Sequence, residues 1–91
     1  MFVTLDEAKI YLRVDGEEEN TLIIDFIKAS ENICEDVLRY PLSDFETVPE
    51  SIRQAILYSV GQFYELRETL DMKNLTEMIK ILLFAYRKES W

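Results

Sequence analysis

The stretch Ser51 to Leu70, S-I-R-Q-A-I-L-Y-S-V-G-Q-F-Y-E-L-R-E-T-L, most narrows what this chain can fold into. At about 100° per residue, Ile52, Ile56, Val60, Phe63 and Leu70 fall on one stripe of a helical wheel, with Ala55, Ser59 and Leu66 beside it. Leu57 and Tyr64 widen the apolar arc beyond what a one-sided surface helix needs, so this element is expected at the centre of the domain, covered on two sides. Gly61 lies on the back of the wheel. A mid-helix glycine costs about 1 kcal/mol relative to alanine, and it marks here the expected close approach of another backbone.

The flanking segments supply what packs around that helix. Thr4-x-x-Glu7 is a capping box, and a short helix is expected from Leu5 to about Leu12. Arg13-Val14-Asp15-Gly16 breaks it, with Gly16 suited to a positive φ. Glu17-Glu18-Glu19 reads as an acidic first turn complementing the dipole of a second helix that runs to about Leu38, and its acids are expected to face solvent or a lumen. In that helix Ile23, Ile27, Ser30, Cys34 and Val37 form the inner stripe, flanked by Phe26, Ile33 and Leu38. Pro41 ends it, Ser43 to Val48 connect, and Pro49 with Glu50 opens the central helix. Asp71 to Asn74 then separate a last helix, about Leu75 to Tyr86, whose expected inner face is Leu75, Met78, Ile79, Leu82 and Tyr86. Strand alternation and hairpin signals are missing from the sequence, so the expected fold is all-α, a small bundle of four to five helices around a central long helix. Residues 1–91 form one domain, with Leu5, Ile27, Cys34, Ile56, Phe63 and Leu82 in its core.

The size of the chain makes its apolar content informative. Ninety-one residues bury only about 60–65% of their unfolded surface, yet 48% of this sequence is hydrophobic. On the last helix Ile81 and Phe84 project away from the inner face, among Glu77, Lys80 and Lys88, where a small monomer leaves them in water. A homo-oligomeric contact is the simplest cover, and the terminal Trp91, either frayed or an anchor in a partner's pocket, is read as the anchor. Ile81, Phe84 and Trp91 are therefore the expected protein-interface residues.

Charge and residue types exclude several classes. Ten Lys and Arg against eighteen Asp and Glu give a net charge of -8, and the cations are scattered apart from Arg87-Lys88. That is a poor surface for gripping nucleic acid or anionic membrane. One cysteine and no histidine leave no disulfide and no zinc set. Cys34 lies mid-stripe with no histidine to activate it, so it is read as a small hydrophobe. The opening M-F-V-T-L-D-E resembles no signal peptide, and no apolar run approaches the ~20 residues of a membrane span, so synthesis in the cytoplasm is expected. Glu65-x-x-Glu68-x-x-Asp71 is the best candidate for an Mg²⁺ site of a nucleotide pyrophosphohydrolase, but it has no facing acidic pair and only Arg67 as a phosphate clamp. No catalytic, cofactor-binding or metal-ligating residue is assigned.

Several motifs together carry a resemblance. They are Leu5-x-Glu7-Ala8-Lys9-x-x-Leu12-Arg13-Val14-Asp15, the Pro49-x-x-Ile52-x-Gln54-Ala55-Ile56 approach to the central helix, Phe63-Tyr64-Glu65-x-Arg67-Glu68, and Leu82-Leu83-x-x-Tyr86-Arg87. In this order and spacing the chain resembles the bacteriophage head-tail connector family over nearly its whole length. The resemblance implies a small all-α adaptor, also described as a head completion or DNA packaging protein of phages and prophages, and not an enzyme. It implies assembly as a ring beneath the portal protein, either directly or from monomers once the head presents the portal. A tail or stopper protein is then received below, at the head-tail joint of the virion, and DNA passes through without specific binding. The net charge of -8 suits such a channel wall. Two other readings make different predictions: an acidic helical module forms a one-to-one complex with a basic host protein, and an Mg²⁺ pyrophosphohydrolase shows turnover that depends on Glu65 and Glu68.

Overall fold

Thr4 starts the first helix through the capping box expected of it: the Glu7 amide donates to Thr4 Oγ1 at 3.1 Å, and the Thr4 amide donates to Glu7 Oε1 at 3.1 Å. The computed structural model describes residues 1–86 and contains four α-helices among them: α1 (Leu5–Leu12), α2 (Asn20–Leu38), α3 (Glu50–Glu65) and α4 (Met72–Leu82). Short 3₁₀ turns at Leu42–Asp44 and Phe84–Tyr86 complete the fold, which has no strand among the described residues. It is the all-α bundle that the periodicity indicates. No helix among the described residues is long and apolar enough to cross a membrane.

Contacts at the helix ends set the directions. Glu19, just before α2, bonds to Tyr64 near the end of α3, while Tyr86 touches both Tyr40 after α2 and Ser51 at the start of α3. The two longest helices are thus antiparallel. Their seam is built from Ile23, Ile27, Cys34 and Leu38 against Ile52, Ile56 and Val60, all inaccessible to solvent, with Phe26 stacked on Phe63 at a centroid distance of 5.6 Å. Such a ring pair contributes about 0.5–1.5 kcal/mol beyond its buried area. Helix α1 runs beside α3 in the same direction, since Glu7 pairs with Arg53 and Tyr11 meets Gly61. Helix α4 covers a different flank of α3, that of Tyr58 and Gln62. Helix α3 therefore touches all three other helices, as its wide apolar arc requires.

The structure corrects several boundaries. Helix α3 stops at Glu65, five residues before Leu70, and α4 begins at Met72, so the connector is 66–71. The cause is Asp71, whose carboxylate accepts from the amides of Lys73 at 3.0 Å and Asn74 at 3.3 Å and so opens a helix three residues earlier than Leu75. At the other end α4 stops at Leu82, and the buried stripe is Leu75, Ile79 and Leu83, spaced four and four. Leu82 is 44% exposed and Met78 39% exposed, so neither belongs to the inner face assigned to it. Tyr86 does turn inward, half-buried, with its carbonyl accepting from the Tyr40 hydroxyl at 2.6 Å.

Two turns also differ from expectation. The positive φ after α1 falls on Arg13 (61°) and not on Gly16, because Val14 and Arg13 fold their amides back to Lys9 and Ile10 in a Schellman closure. Arg39 closes α2 at φ 70° through the simpler αL motif, its amide donating to the Glu35 carbonyl at 2.8 Å. The acidic run 17–19 precedes α2 instead of forming its first turn. Glu17 and Glu18 are exposed as expected, whereas Glu19 is half-buried and takes the Tyr64 hydroxyl and, at 2.7 Å, Arg67 Nη2.

Gly61 accommodates a neighbour, but the neighbour is a side chain. A Cβ there would lie 3.2 Å from the Tyr11 ring, closer than ordinary van der Waals contact. Gly61→Leu is therefore expected to destabilise the protein by roughly 1–3 kcal/mol through overpacking, and to be neutral or stabilising once Tyr11→Ala has removed the ring. Urea unfolding of the four variants checks this, and an equal cost in both backgrounds contradicts the contact.

Acid should loosen the fold at two places. The Arg53 hydrogen bond, then the Thr4 amide, hold the Glu7 carboxyl below its ordinary value of 4.5, and the Tyr64 hydroxyl, then Arg67, do the same for Glu19. Folded-state values below the unfolded ones give a contribution that is complete above about pH 4.5 and is lost as pH falls through the folded values. The urea midpoint should hold steady from neutrality to about pH 5 and fall below it, and Glu7→Gln with Glu19→Gln should flatten that acid limb.

Candidate docking surface on the last helix

Helix α4 lays Leu75, Ile79 and Leu83 into the core, and this fixes what its other faces present. Ile81, almost half a turn from that stripe, is 71% exposed, and Phe84, on the 3₁₀ turn that follows, is 68% exposed. Both expected interface residues thus have their side chains in solvent. Trp91, the third, lies outside the described residues, as do Arg87 and Lys88.

Exposure here is not an accident of a frayed end. Leu83, between the two, is fully buried, and its amide donates to the Ile79 carbonyl at 2.9 Å. The Tyr86 amide bonds back to the Leu83 carbonyl at 2.9 Å, and the Tyr86 ring meets Phe45 edge-on. Ile81 and Phe84 are therefore held outward by a backbone that is anchored on both sides. Beside Ile81 runs a groove of ≈ 510 Å³ between α3 and α4, with Tyr58, Leu66, Leu75 and Met78 among its lining residues. Its rim carries Asp71 and Glu77, the latter 3.6 Å from Lys80.

Sequence reasoning missed two features that bear on the surface. Ile10, on the outer side of α1, is 78% exposed. The same wheel shows it, because Leu5, Ala8 and Leu12 share one side and Ile10 lies about 180° from their mean. The second is Glu31, a carboxylate four residues after Ile27 and hence inside the apolar stripe of α2. It is only 8% exposed and accepts the amides of Phe2 at 2.7 Å and Val3 at 2.9 Å, while Arg53 Nη1 donates to the Phe2 carbonyl at 2.6 Å. An acid within an apolar stripe was the available signal. Its role is to clamp the segment leading into α1, which sets where the outer face of α1 points.

The acidic set singled out in the sequence is dispersed in the structure. Asp71, the third acid of the Glu65/Glu68/Asp71 set, is occupied as a helix cap, and Glu65 and Glu68 are exposed. Among the described residues no three metal-ligating side chains cluster. Cys34 is fully buried, and burial, followed by the charges of Glu31 and Glu35, pushes its thiol up to about 12, far from a reactive thiolate.

A family model described as "Phage gp6-like head-tail connector protein" matches residues 2–88. No curated protein and no solved structure gives a match. The matched span includes every element described above, from the Thr4 cap to the anchored end of α4. The chain belongs to the phage gp6-like head-tail connector family.

Proposed function

We propose that the chain is the repeating subunit of a ring that joins the portal of a phage or prophage head to the tail, and that its work is assembly. The family is structural, and a connector role among head and tail proteins comes with membership in it. The ring, the portal contact and the DNA channel are the finer reading. The observation that supports assembly is the pair Ile81 and Phe84, two large apolar side chains held in solvent at the end of α4. Burying a large apolar side chain contributes about 1.5–3 kcal/mol, and a closed ring does so in every copy. Trp91, outside the described residues, is a further anchor expected from the sequence alone. A net charge of -8 lets such a ring pass DNA without holding it, because the phosphates meet no basic stripe. In this reading the subunit is made in the bacterial cytoplasm and ends at the head-tail joint of the virion. A tail or stopper protein then binds the side away from the portal.

Native mass spectrometry across concentration, with and without portal protein, tests the proposal. The wild type is expected to form a closed ring of many copies, alone or on the portal. Phe84→Asp and Ile81→Asp are each expected to raise the concentration needed by roughly tenfold or more, as loss of an interface anchor does. Their helical circular dichroism and urea midpoint should stay near wild type, since both sites are exposed. A wild type that stays monomeric with the portal present overturns the proposal.

A further inference from the structure

The described residues end at Tyr86, and what holds Tyr86 decides where Arg87-Lys88-Glu89-Ser90-Trp91 set out from. The Tyr86 carbonyl accepts from the Tyr40 hydroxyl at 2.6 Å, and its ring meets Phe45. Tyr40 is the second residue after α2, so the backbone leaves the bundle close to Arg39, which closes that helix. A second groove, of ≈ 340 Å³, opens there between α2 and α4. Ile33 and Val37 line it from α2, and Met72 and Thr76 from α4. Met72, a large apolar side chain, is 46% exposed. The α3–α4 groove lies on the far side of α4, because Met72, Thr76 and Lys80 are about 160° round the helix from Asn74, Met78 and Ile81.

Reach and charge both suit the chain's own last residues. Five residues span at most about 17 Å, and α4 rises about 12 Å from Lys80 back to Met72, so Trp91 has the groove floor within reach. Arg39 and Lys80 line the groove against one acid, Asp36. In a chain of net charge -8 that is an uncommon local excess of cations, and Glu89 brings the opposite charge. The pair of Lys80 with Glu77, 3.6 Å apart and roughly half in water, is too weak to withhold Lys80.

We infer that in the free subunit residues 87–91 turn back along the α2–α4 groove and lay Trp91 on Ile33, Val37 and Met72, with Glu89 toward Arg39 and Lys80 and with Arg87 and Lys88 left in water. The indole gains an apolar floor, and Met72 gains a cover. This rests on the reading of Trp91 as an assembly anchor and adds where that anchor is kept before a partner competes for it. A partner then binds only the open fraction of subunits. A latch closed about nine-tenths of the time raises the concentration needed for assembly about tenfold.

Trp91 is the one tryptophan in the sequence, so selectively excited fluorescence of the full chain reads its surroundings. Below the assembly concentration, wild-type emission should be blue-shifted from that of the urea-unfolded chain and unchanged by dilution. Met72→Asp should move it to the unfolded position and raise acrylamide quenching several-fold. Its circular dichroism should stay as in wild type, because Met72 is exposed and an acid in the first turn of α4 suits the helix dipole. Met78→Asp, in the other groove, should leave the emission unchanged. Met72→Asp should also lower the assembly concentration by up to about tenfold. Three results overturn the inference and leave the ring reading standing: solvent-exposed emission from the free wild type, burial that appears only as concentration rises, and a Met72→Asp variant that keeps wild-type emission or assembles less readily. A chain with Trp91 buried in this way that never assembles, portal included, overturns the ring reading and with it the anchor's use.

Discussion

The antiparallel seam between α2 and α3 is the interaction on which the other elements depend. Ile23, Ile27, Cys34 and Leu38 meet Ile52, Ile56 and Val60 with no solvent between them, and both α1 and α4 pack on this pair. The resulting body measures 45 × 31 × 16 Å across its Cα atoms. Sixteen ångströms is the depth of about two helix layers at the usual interaxial spacing of 8–10 Å. In a body two layers deep every helix keeps one side toward solvent. When the outer sides of α1 and α4 carry isoleucine, that geometry leaves apolar surface that the described residues do not cover.

Several of the acidic residues hold the fold together. Glu7 binds Arg53 and the Thr4 amide, Glu19 binds Tyr64 and Arg67, Glu31 takes the amides of Phe2 and Val3, and Glu35 takes that of Leu42 at 2.7 Å. Four carboxylates thus tie the ends and connectors of the fold to its two long helices. A hydrogen bond to a charged group contributes about 1.5–3 kcal/mol where it is shielded from water, and Glu31 is the best shielded of the four. These ties connect function to fold: they position α1, and they anchor the chain where α2 gives way to α3.

Much of this was legible in the residues, and the reasons for the exceptions are physical. The apolar stripes of α2 and α3 are long enough for a helical period to be unmistakable, and the Thr4 capping box named its own helix. Ile81 and Phe84 were legible as outward residues because the stripe opposite them is strongly apolar. Boundaries were less legible. Asp71 reads as a connector residue until its side chain is seen to take two amides, and Leu83 replaces Leu82 in the core because the buried stripe of α4 runs 75, 79, 83 at a spacing of four. The Gly61 notch required knowing that Tyr11 arrives from a helix fifty residues earlier in the chain, and the buried role of Glu31 required the path of the N-terminal backbone. Both are long-range contacts that no local pattern encodes. The family membership entered through motifs spread over the whole chain, and the matched span of residues 2–88 agrees with that spread.

The central claim is that a subunit already folded around the α2–α3 seam presents the far side of α4 for assembly. Hydrogen–deuterium exchange of the free and portal-assembled protein tests it most directly, because exchange reports how each backbone segment opens. The amides of 23–38 and 52–64 should be strongly protected in the free subunit and change little on assembly, while new protection should appear over 78–86. Free α2 and α3 that exchange as an unfolded chain and become protected only on assembly would contradict it, as would assembly that leaves 78–86 unchanged.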